Sequence, residues 1–404
     1  MLAHVATIST RHARGMCALL KPRRTIPHVD LAPWFDGSTP AAERRAIAVA
    51  LGHAFEEYGF CVATLGSQII PVQAVSAELR DSARLFFAAD DRSDWDSGQG
   101  YGYGGLVTEN ENGAGLTGDF DSDRAPDLVE SLTIRGLAHL ATGNVAAPGD
   151  SPVFCQDMSD PGRLDLIPTT PAALAATVGC FHDALSQLRV GLCGMSEVAL
   201  ELPDRYLSDR CDSNAAGLRL AHYPEQAHEP PPGQLRYGAH ADSGAITVVI
   251  LDPACPRGLE VRLPASPDGG EPACWVDVCD GKDGVDLTSA LVLNCGATLE
   301  RWTNGRWRAA LHRVANHRRS RLSVITSALS PGPEVLLECL PSCRGQAGAK
   351  ALRPPVLVRD FLDERVRQQQ PGYRPEPPAE VTCLRNVLSV VSLFSKICPG
   401  PFAF

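Results

Sequence analysis

The sequence predicts an α+β fold with a mainly β core and helices packed around it. Two apolar runs, residues 245–251 and 322–328, are short and rich in β-branched side chains, which is typical of buried strands. Residues 172–202 instead carry large apolar side chains at spacings of three and four, which indicates a long helix with one apolar face. A chain of 404 residues with 44% hydrophobic content can bury a sizeable core.

The composition argues against several classes of protein. The formal net charge is −10, so the chain as a whole offers no basic field to attract nucleic acid. It contains no run of about 20 apolar residues, which a membrane span requires. None of the 14 cysteines forms a Cys-x-x-Cys pair, so a zinc ribbon or a redox dithiol is not indicated.

Residues 1–25 are predicted to be a basic leader outside the fold. No Asp or Glu occurs before Asp30, whereas five arginines and lysines lie between residues 11 and 24. An organelle transit peptide has this composition, and so has a disordered basic segment. The expected location is therefore cytoplasmic, or organellar if the leader is a transit peptide.

Residues 26–150 are predicted to form an N-terminal region of helices and strands. Two strands and two helices are expected there, at residues 26–31, 38–58, 60–63 and 73–88. Ser38 or Thr39 is suited to cap the first helix, with Pro40 at an early helical position. The glycine-rich residues 97–121 lack the Lys-Ser/Thr of a phosphate loop and are interpreted as a loop, from which Tyr101 or Tyr103 could reach a substrate.

His240 and Asp242 are the first residues that point to chemistry. Residues two apart on a strand project to the same face, so the two side chains lie together. Two imidazoles and one carboxylate form a ligand set that leaves open positions on iron(II), and His312 supplies the second imidazole. Arg321 and Ser323 form a similar pair, in which a planar guanidinium fork and a hydroxyl can bind a carboxylate.

In this order, His240-x-Asp242, His312 and Arg321-x-Ser323 resemble the iron(II)/2-oxoglutarate-dependent dioxygenases. The likeness is strongest to the branch that contains isopenicillin N synthase and the plant-type oxygenases. The flanking phrases agree, because residues 218–224 resemble the strand that ends in Tyr-Pro before the first ligand. Residues 296–305 resemble the hairpin that delivers the second histidine.

The resemblance implies a fold, a set of site residues and a set of cofactors. The fold is a double-stranded β-helix, a cupin-like jelly roll with flanking helices, expected within residues 151–375. The implied metal ligands and catalytic residues are His240, Asp242 and His312, and the implied 2-oxoglutarate-binding residues are Arg321, Ser323 and Tyr223. The implied cofactors are Fe(II), 2-oxoglutarate as co-substrate and O₂, with ascorbate as a reductant.

The resemblance implies an oxygenase that hydroxylates, desaturates or otherwise oxidises a small organic molecule and releases succinate and CO₂. One alternative is an oxidase like isopenicillin N synthase that does not use 2-oxoglutarate, and another is a non-catalytic metal-binding or ligand-sensing jelly roll. A small-molecule partner is expected, without nucleic acid or a membrane span. Arg219 shares the alternating face of Tyr223 and could meet an acidic substrate, or it could be an exposed strand end.

Two further features of the C-terminal half are unusual. Asp242 and His312 are separated by two polar insertions, residues 264–272 and 280–286, which are expected to be surface loops. A closing helix is expected to run to residue 370. Residues 376–404 are left unassigned, because their apolar run, 387–394, is too short to span a bilayer.

Overall fold

Two β-sheets dominate the part of the chain that the computed structural model describes. The described residues are 24–66, 71–90, 102–105, 127–134, 172–211, 217–231, 233–266, 269–282, 285–287, 290–345 and 353–368. The predicted tail, nearly all of the leader and Tyr101 lie outside these ranges. Within them, no helix is both long enough and apolar enough to cross a membrane.

The larger sheet has eight strands in the spatial order β1-β2-β10-β7-β12-β5-β4-β3. Its members are β1 (His28–Asp30), β2 (Phe60–Thr64), β3 (Gly102–Gly104), β4 (Glu130–Ile134), β5 (Leu218–Tyr223), β7 (Ile246–Ile250), β10 (Ala290–Cys295) and β12 (Arg321–Leu329). β1 and β2 are parallel, and every other neighbouring pair is antiparallel. The two apolar runs singled out in the sequence thus form adjacent central strands, β7 and β12.

The smaller sheet has four antiparallel strands in the order β6-β11-β8-β9. Its members are β6 (Leu235–His240), β8 (Leu259–Leu263), β9 (Cys274–Asp277) and β11 (His312–Ala315). The first polar insertion, residues 264–272, lies in the connection between β8 and β9. A separate two-stranded ribbon pairs β13 (Leu336–Leu337) with β14 (Val356–Leu357).

Six α-helices lie in the described ranges. They are α1 (Ala32–Phe35), α2 (Ala41–Glu57), α3 (Val72–Phe87), α4 (Ala172–Ala199), α5 (Ala297–Trp302) and α6 (Val358–Gln368). The helix expected at residues 38–58 begins only at Ala41. Pro40 is its N-cap, neither Ser38 nor Thr39 caps it, and the Ser38 hydroxyl donates to Asp36 instead.

The expectation of a hairpin at residues 296–305 is wrong, because the chain forms the helix α5 there. Gly296 is extended and starts the helix, and the amide of Thr298 donates to the backbone oxygens of Ser243 and Gly244. The free amides of the first helical turn are thus partly satisfied by the loop that follows β6, which favours a helix over a hairpin.

Two apolar clusters lie on opposite faces of the larger sheet. One joins the sheet to α2, α3 and α4, and it contains Leu322 and Val324 of β12. The predicted stripe of α4 is buried in it, and burial of each such side chain contributes about 1.5–3 kcal/mol. The second cluster joins the two sheets and includes Ile325 at its margin. Alternation along β12 therefore separates a helix-facing side from a side that faces the smaller sheet.

Candidate metal site and anion clamp

The two candidate metal-ligating histidines are held opposite each other by the smaller sheet. His240 ends β6 and His312 begins β11, and their Cα atoms are partners in the antiparallel ladder. Their ring centroids are 4.1 Å apart. The 71 residues that lie between them in the chain, 241–311, are therefore closed into a loop by one pair of partners in the sheet.

Asp242 completes a three-donor cluster. Its Oδ1 lies 3.5 Å from Nε2 of His240 and 3.6 Å from Nε2 of His312, and the three donor atoms all lie within 4.8 Å of one another. Donors bound to one metal at bond lengths of about 2.1 Å lie about 3 Å apart. The observed spacing fits a shared ion after small side-chain movements, and the donor set is that of a facial triad.

Backbone carbonyls fix the orientation of both imidazoles. Nδ1 of His240 lies 2.9 Å from the oxygen of Gly238, and Nδ1 of His312 lies 3.2 Å from the oxygen of Ala310. Each carbonyl oxygen can only accept a hydrogen bond, so Nδ1 carries the hydrogen. The lone pair of Nε2 is therefore left for a metal. Burial, together with the nearby His240, lowers the pKa of His312 to about 4, so His312 is in the neutral form that binds metals.

Asn294 orients the Asp242 carboxylate. Its Nδ2 donates to Oδ2 of Asp242 at 2.7 Å, which leaves Oδ1 facing the histidines. Burial alone would raise the pKa of Asp242, but His312, His240 and Asn294 together hold it well below its ordinary value. The carboxylate is therefore ionised, as a ligand for a cation must be.

Gly296 allows the backbone to close tightly behind Asp242. A Cβ at this position would lie 2.2 Å from the oxygen of Gly244 and 3.0 Å from the oxygen of Asp242. The next amide, of Ala297, donates to the same Asp242 oxygen at 2.7 Å. The start of α5 and the loop that carries the carboxylate are thus packed backbone to backbone.

The candidate anion clamp lies on the larger sheet. Arg321 pairs with Tyr223 across β12 and β5, and Ser323 pairs with Ala221 two residues further along. Nε of Arg321 donates to the Ser323 hydroxyl at 2.9 Å, and Nη1 donates to the backbone oxygen of Arg257 at 2.8 Å. Both side chains are buried, and no carboxylate among the described residues forms a salt bridge with Arg321. The guanidinium is therefore available to an anionic ligand.

A cavity of about 230 Å³ between the two sheets brings the predicted residues together. All six predicted site residues and Arg219 line it, namely Arg219, Tyr223, His240, Asp242, His312, Arg321 and Ser323. Apolar side chains fill much of the remaining wall, among them Val249, Leu259 and Val314. The metal-ligand set lies on one wall and the anion clamp on the other, as a chelating small molecule between them would require.

Tyr103 does not line this cavity, and Tyr101, the other tyrosine that could reach a substrate, lies outside the described residues. It lies on β3 opposite Leu132, on the helix-facing side of the sheet, where its ring packs against Phe86. Its hydroxyl donates to the carboxylate of Glu130 at 2.7 Å, and the other oxygen of Glu130 is 2.6 Å from Nδ1 of His222.

Two buried carboxylates that the sequence did not single out support the site from behind. Asp127 accepts the amide of Gly238 at 3.0 Å, which holds β6 just before its histidine. Asp252 accepts the amide of Leu322 at 2.9 Å and a guanidinium proton of Arg84 at 3.1 Å, which fixes the strand beside Arg321. Each could have been recognised in the sequence as an acidic residue next to an apolar run, since a carboxylate buried at such a position needs hydrogen-bond partners.

Comparison with known proteins identifies one family. Residues 215–328 match the family model described as the 2OG-Fe(II) oxygenase superfamily. Proline hydroxylase buaE of Petromyces alliaceus is 31% identical over 168 residues, which are 41% of this chain and 47% of the relative. The 2-oxoglutarate-Fe(II) type oxidoreductase hxnY of Emericella nidulans is 27% identical over 247 residues, 60% of this chain and 64% of the relative. The chain thus matches less than two thirds of the length of either protein.

Solved structures share the fold over most of the chain. The full-length Neurospora crassa T7H in complex with alpha-KG superposes with a TM-score of 0.64 at 20% identity, covering 87% of this chain and 98% of that one. A putative 2OG-Fe(II) oxygenase family protein from Caulobacter crescentus gives a TM-score of 0.61 at 23% identity, covering 85% and 99%. These structures support the fold that the resemblance implies, and the family model agrees with the resemblance over residues 215–328.

Proposed function

We propose that the chain, whose residues 215–328 match the model of the 2OG-Fe(II) oxygenase superfamily, is an Fe(II)- and 2-oxoglutarate-dependent oxygenase of a small organic molecule. The observation that carries this proposal is the convergence of a three-donor metal site and an arginine–serine clamp on one cavity. The reaction would be a hydroxylation, a desaturation or a related oxidation, with release of succinate and CO₂.

We assign the metal to His240, Asp242 and His312. Bound iron(II) would supply the oxidising chemistry, with O₂ and 2-oxoglutarate as co-substrates. The protein holds two neutral imidazoles and one carboxylate in place through backbone carbonyls and Asn294, so little reorganisation is needed when the ion binds.

We assign 2-oxoglutarate binding to Arg321, Ser323 and Tyr223. The Arg321 fork and the Ser323 hydroxyl would bind its distal carboxylate, and the Tyr223 ring lies 5.8 Å from the guanidinium. The three side chains are buried, so the charged hydrogen bonds form away from bulk water, where they are stronger. Apolar walls exclude water from the reacting centre.

The substrate is proposed to be a small molecule. Related folds have been solved with thymine and with 5-formyluracil, and a similar structure is a rice dioxygenase for auxin oxidation with a TM-score of 0.56. A relative is named a proline hydroxylase. These compounds support a small organic substrate, for which the cavity has suitable dimensions.

The oxidase alternative and the non-catalytic alternative have less support. Several relatives are named 2-oxoglutarate-dependent dioxygenases, which favours use of 2-oxoglutarate over an oxidase that omits it. The complete donor set favours catalysis over ligand sensing. We also propose that strands β5 to β12 of the two sheets form a double-stranded β-helix within residues 151–375, with the helices packed outside. The protein is further proposed to be cytoplasmic or organellar.

Succinate formation tests the proposed function. Protein prepared without oxygen is supplied with iron(II), ascorbate and 2-oxoglutarate, O₂ is admitted, and succinate is quantified without added substrate. His240→Ala removes a candidate ligand, and His228→Ala removes an exposed histidine from the loop before β6 as a matched control. Iron content is measured in parallel.

We expect slow succinate formation by the wild type and by His228→Ala, and none by His240→Ala. Iron binding without succinate would favour either the oxidase alternative or strict gating of 2-oxoglutarate turnover by the substrate. Failure of the wild type to bind iron would contradict the assignment of the metal site.

A further inference from the structure

We propose that Arg219 binds the substrate and selects a small molecule that carries a carboxylate. This proposal rests on the function proposed above and names the class of substrate that the same cavity accepts. Its basis is a cation that lines the cavity and has no ionic partner among the described residues.

The position of Arg219 separates it from the co-substrate clamp. On β5 it lies opposite Ile325, whereas Tyr223, four residues further along, lies opposite Arg321. A strand advances about 3.3 Å per residue, so these two rungs are about 13 Å apart. Because alternate residues of β5 face the cavity, Arg219 and Arg321 lie at opposite ends of the cavity.

The contacts of Arg219 place its guanidinium beside the metal site. Nη1 donates to the Tyr237 hydroxyl at 3.3 Å, and the guanidinium carbon lies 5.1 Å from the centre of that ring. The Tyr237 ring is in turn 4.6 Å from the His240 ring. A carboxylate bound to Arg219 would therefore direct the carbon atoms attached to it towards the metal.

Charge balance in the cavity favours an anionic substrate. Asp242 is the one acidic residue that lines the cavity in the described part of the chain, and the metal takes up its charge. A 2-oxoglutarate carboxylate would neutralise Arg321. Arg219 then remains as a half-buried cation that contacts the hydroxyl and the ring of Tyr237. A cation without an ionic partner in such a site is costly. A substrate carboxylate compensates this charge through the bidentate geometry that guanidinium favours.

Matched pairs of acids and amides test the proposal. The probes are acetate and acetamide, phenylacetate and phenylacetamide, and indole-3-acetate and indole-3-acetamide. Each is titrated calorimetrically, without oxygen, into protein loaded with iron(II) and saturating 2-oxoglutarate, so that the clamp at Arg321 is already occupied. The variant is Arg219→Met, and the control is Arg262→Met, which removes an exposed arginine from the smaller sheet.

We expect at least one acid to bind the wild type about tenfold more tightly than its amide. Arg219→Met should lose this preference, and Arg262→Met should keep it. The melting temperature of the protein loaded with iron(II) and 2-oxoglutarate, without substrate, provides a second readout. Arg219→Met should melt no lower than the wild type, because an uncompensated cation is replaced by an apolar side chain of similar length.

Three results would overturn the proposal: no acid binds better than its amide, Arg219→Met retains the preference, or Arg219→Met melts below both the wild type and Arg262→Met. The last result would indicate that Arg219 is a structural partner of Tyr237. Failure of the proposed function is distinguishable, because a wild type that binds acids through Arg219 and makes no succinate would contradict the oxygenase and leave this assignment standing.

Discussion

Removal of the Asn294 side chain tests how strongly the protein orients its metal-binding carboxylate. In Asn294→Ala, Oδ2 of Asp242 loses its 2.7 Å donor, and the carboxylate can rotate away from the two histidines. Asn294 is only 1% exposed, so water does not readily replace the lost amide. We therefore expect weaker iron binding with all three ligands still present.

The expected size follows from the nature of the bond. A hydrogen bond to a charged group contributes about 1.5–3 kcal/mol. At about 1.36 kcal/mol for each factor of ten, this corresponds to a loss of roughly 10- to 150-fold in affinity. Loss of an outer partner of a metal ligand commonly weakens metal binding about 10- to 100-fold, which agrees with this range.

Equilibrium dialysis against iron(II) under argon, followed by metal analysis, measures the effect. The matched control is Cys295→Ala, which shortens the neighbouring buried side chain of β10 on the opposite face of the sheet. Circular dichroism and thermal melting establish that both variants are folded. If folded Asn294→Ala binds iron as tightly as Cys295→Ala, the amide does not control the carboxylate and the reasoning is refuted.

Three other outcomes follow from single positions. Gly296→Ala should lower both the melting temperature and the iron affinity, because its Cβ would overlap a backbone oxygen. The control is Gly179→Ala, in open space on α4, which should melt at or above the wild type. Equal melting temperatures of the two variants would contradict this expectation. Arg321→Lys should raise the KM for 2-oxoglutarate about tenfold or more and leave the iron affinity unchanged, because an ammonium group cannot replace the guanidinium fork. An unchanged KM would contradict the assignment of 2-oxoglutarate binding to Arg321. Burial raises the pKa of Cys61 to about 12. At pH 8, iodoacetamide should therefore label the exposed Cys180 and leave Cys61 unlabelled until the protein is unfolded. Peptide mapping by mass spectrometry measures the labelling of each cysteine.

The site residues could be predicted from the sequence because strand alternation is a local rule. His240 with Asp242, and Arg321 with Ser323, each follow from a spacing of two. The pairing of His240 with His312 could not be derived from local pattern, since it depends on the register between β6 and β11. The role of His312 as the second metal-binding histidine was predicted from the resemblance to a known family instead.

The supporting residues were predictable in part. Asn294 is a polar residue in the otherwise apolar run of β10, and such a residue needs a hydrogen-bond partner, although the sequence does not say which. The helix α5 was missed because the loop after β6 satisfies its first amides, which is a tertiary effect. The face of the sheet on which Tyr103 lies could not be predicted, because the side that a short strand presents depends on its neighbour.

The rung that joins His240 to His312 has a consequence for how this chain can vary. Because a single ladder contact sets the spacing of the two imidazoles, loops between the strands of the intervening chain can change in length without moving either histidine. The two polar insertions occupy that interval, beyond the ends of β8 and β9. Insertions and deletions there have little entropic cost, and the metal geometry is preserved. Loop length and metal binding can therefore evolve as separate traits within one chain.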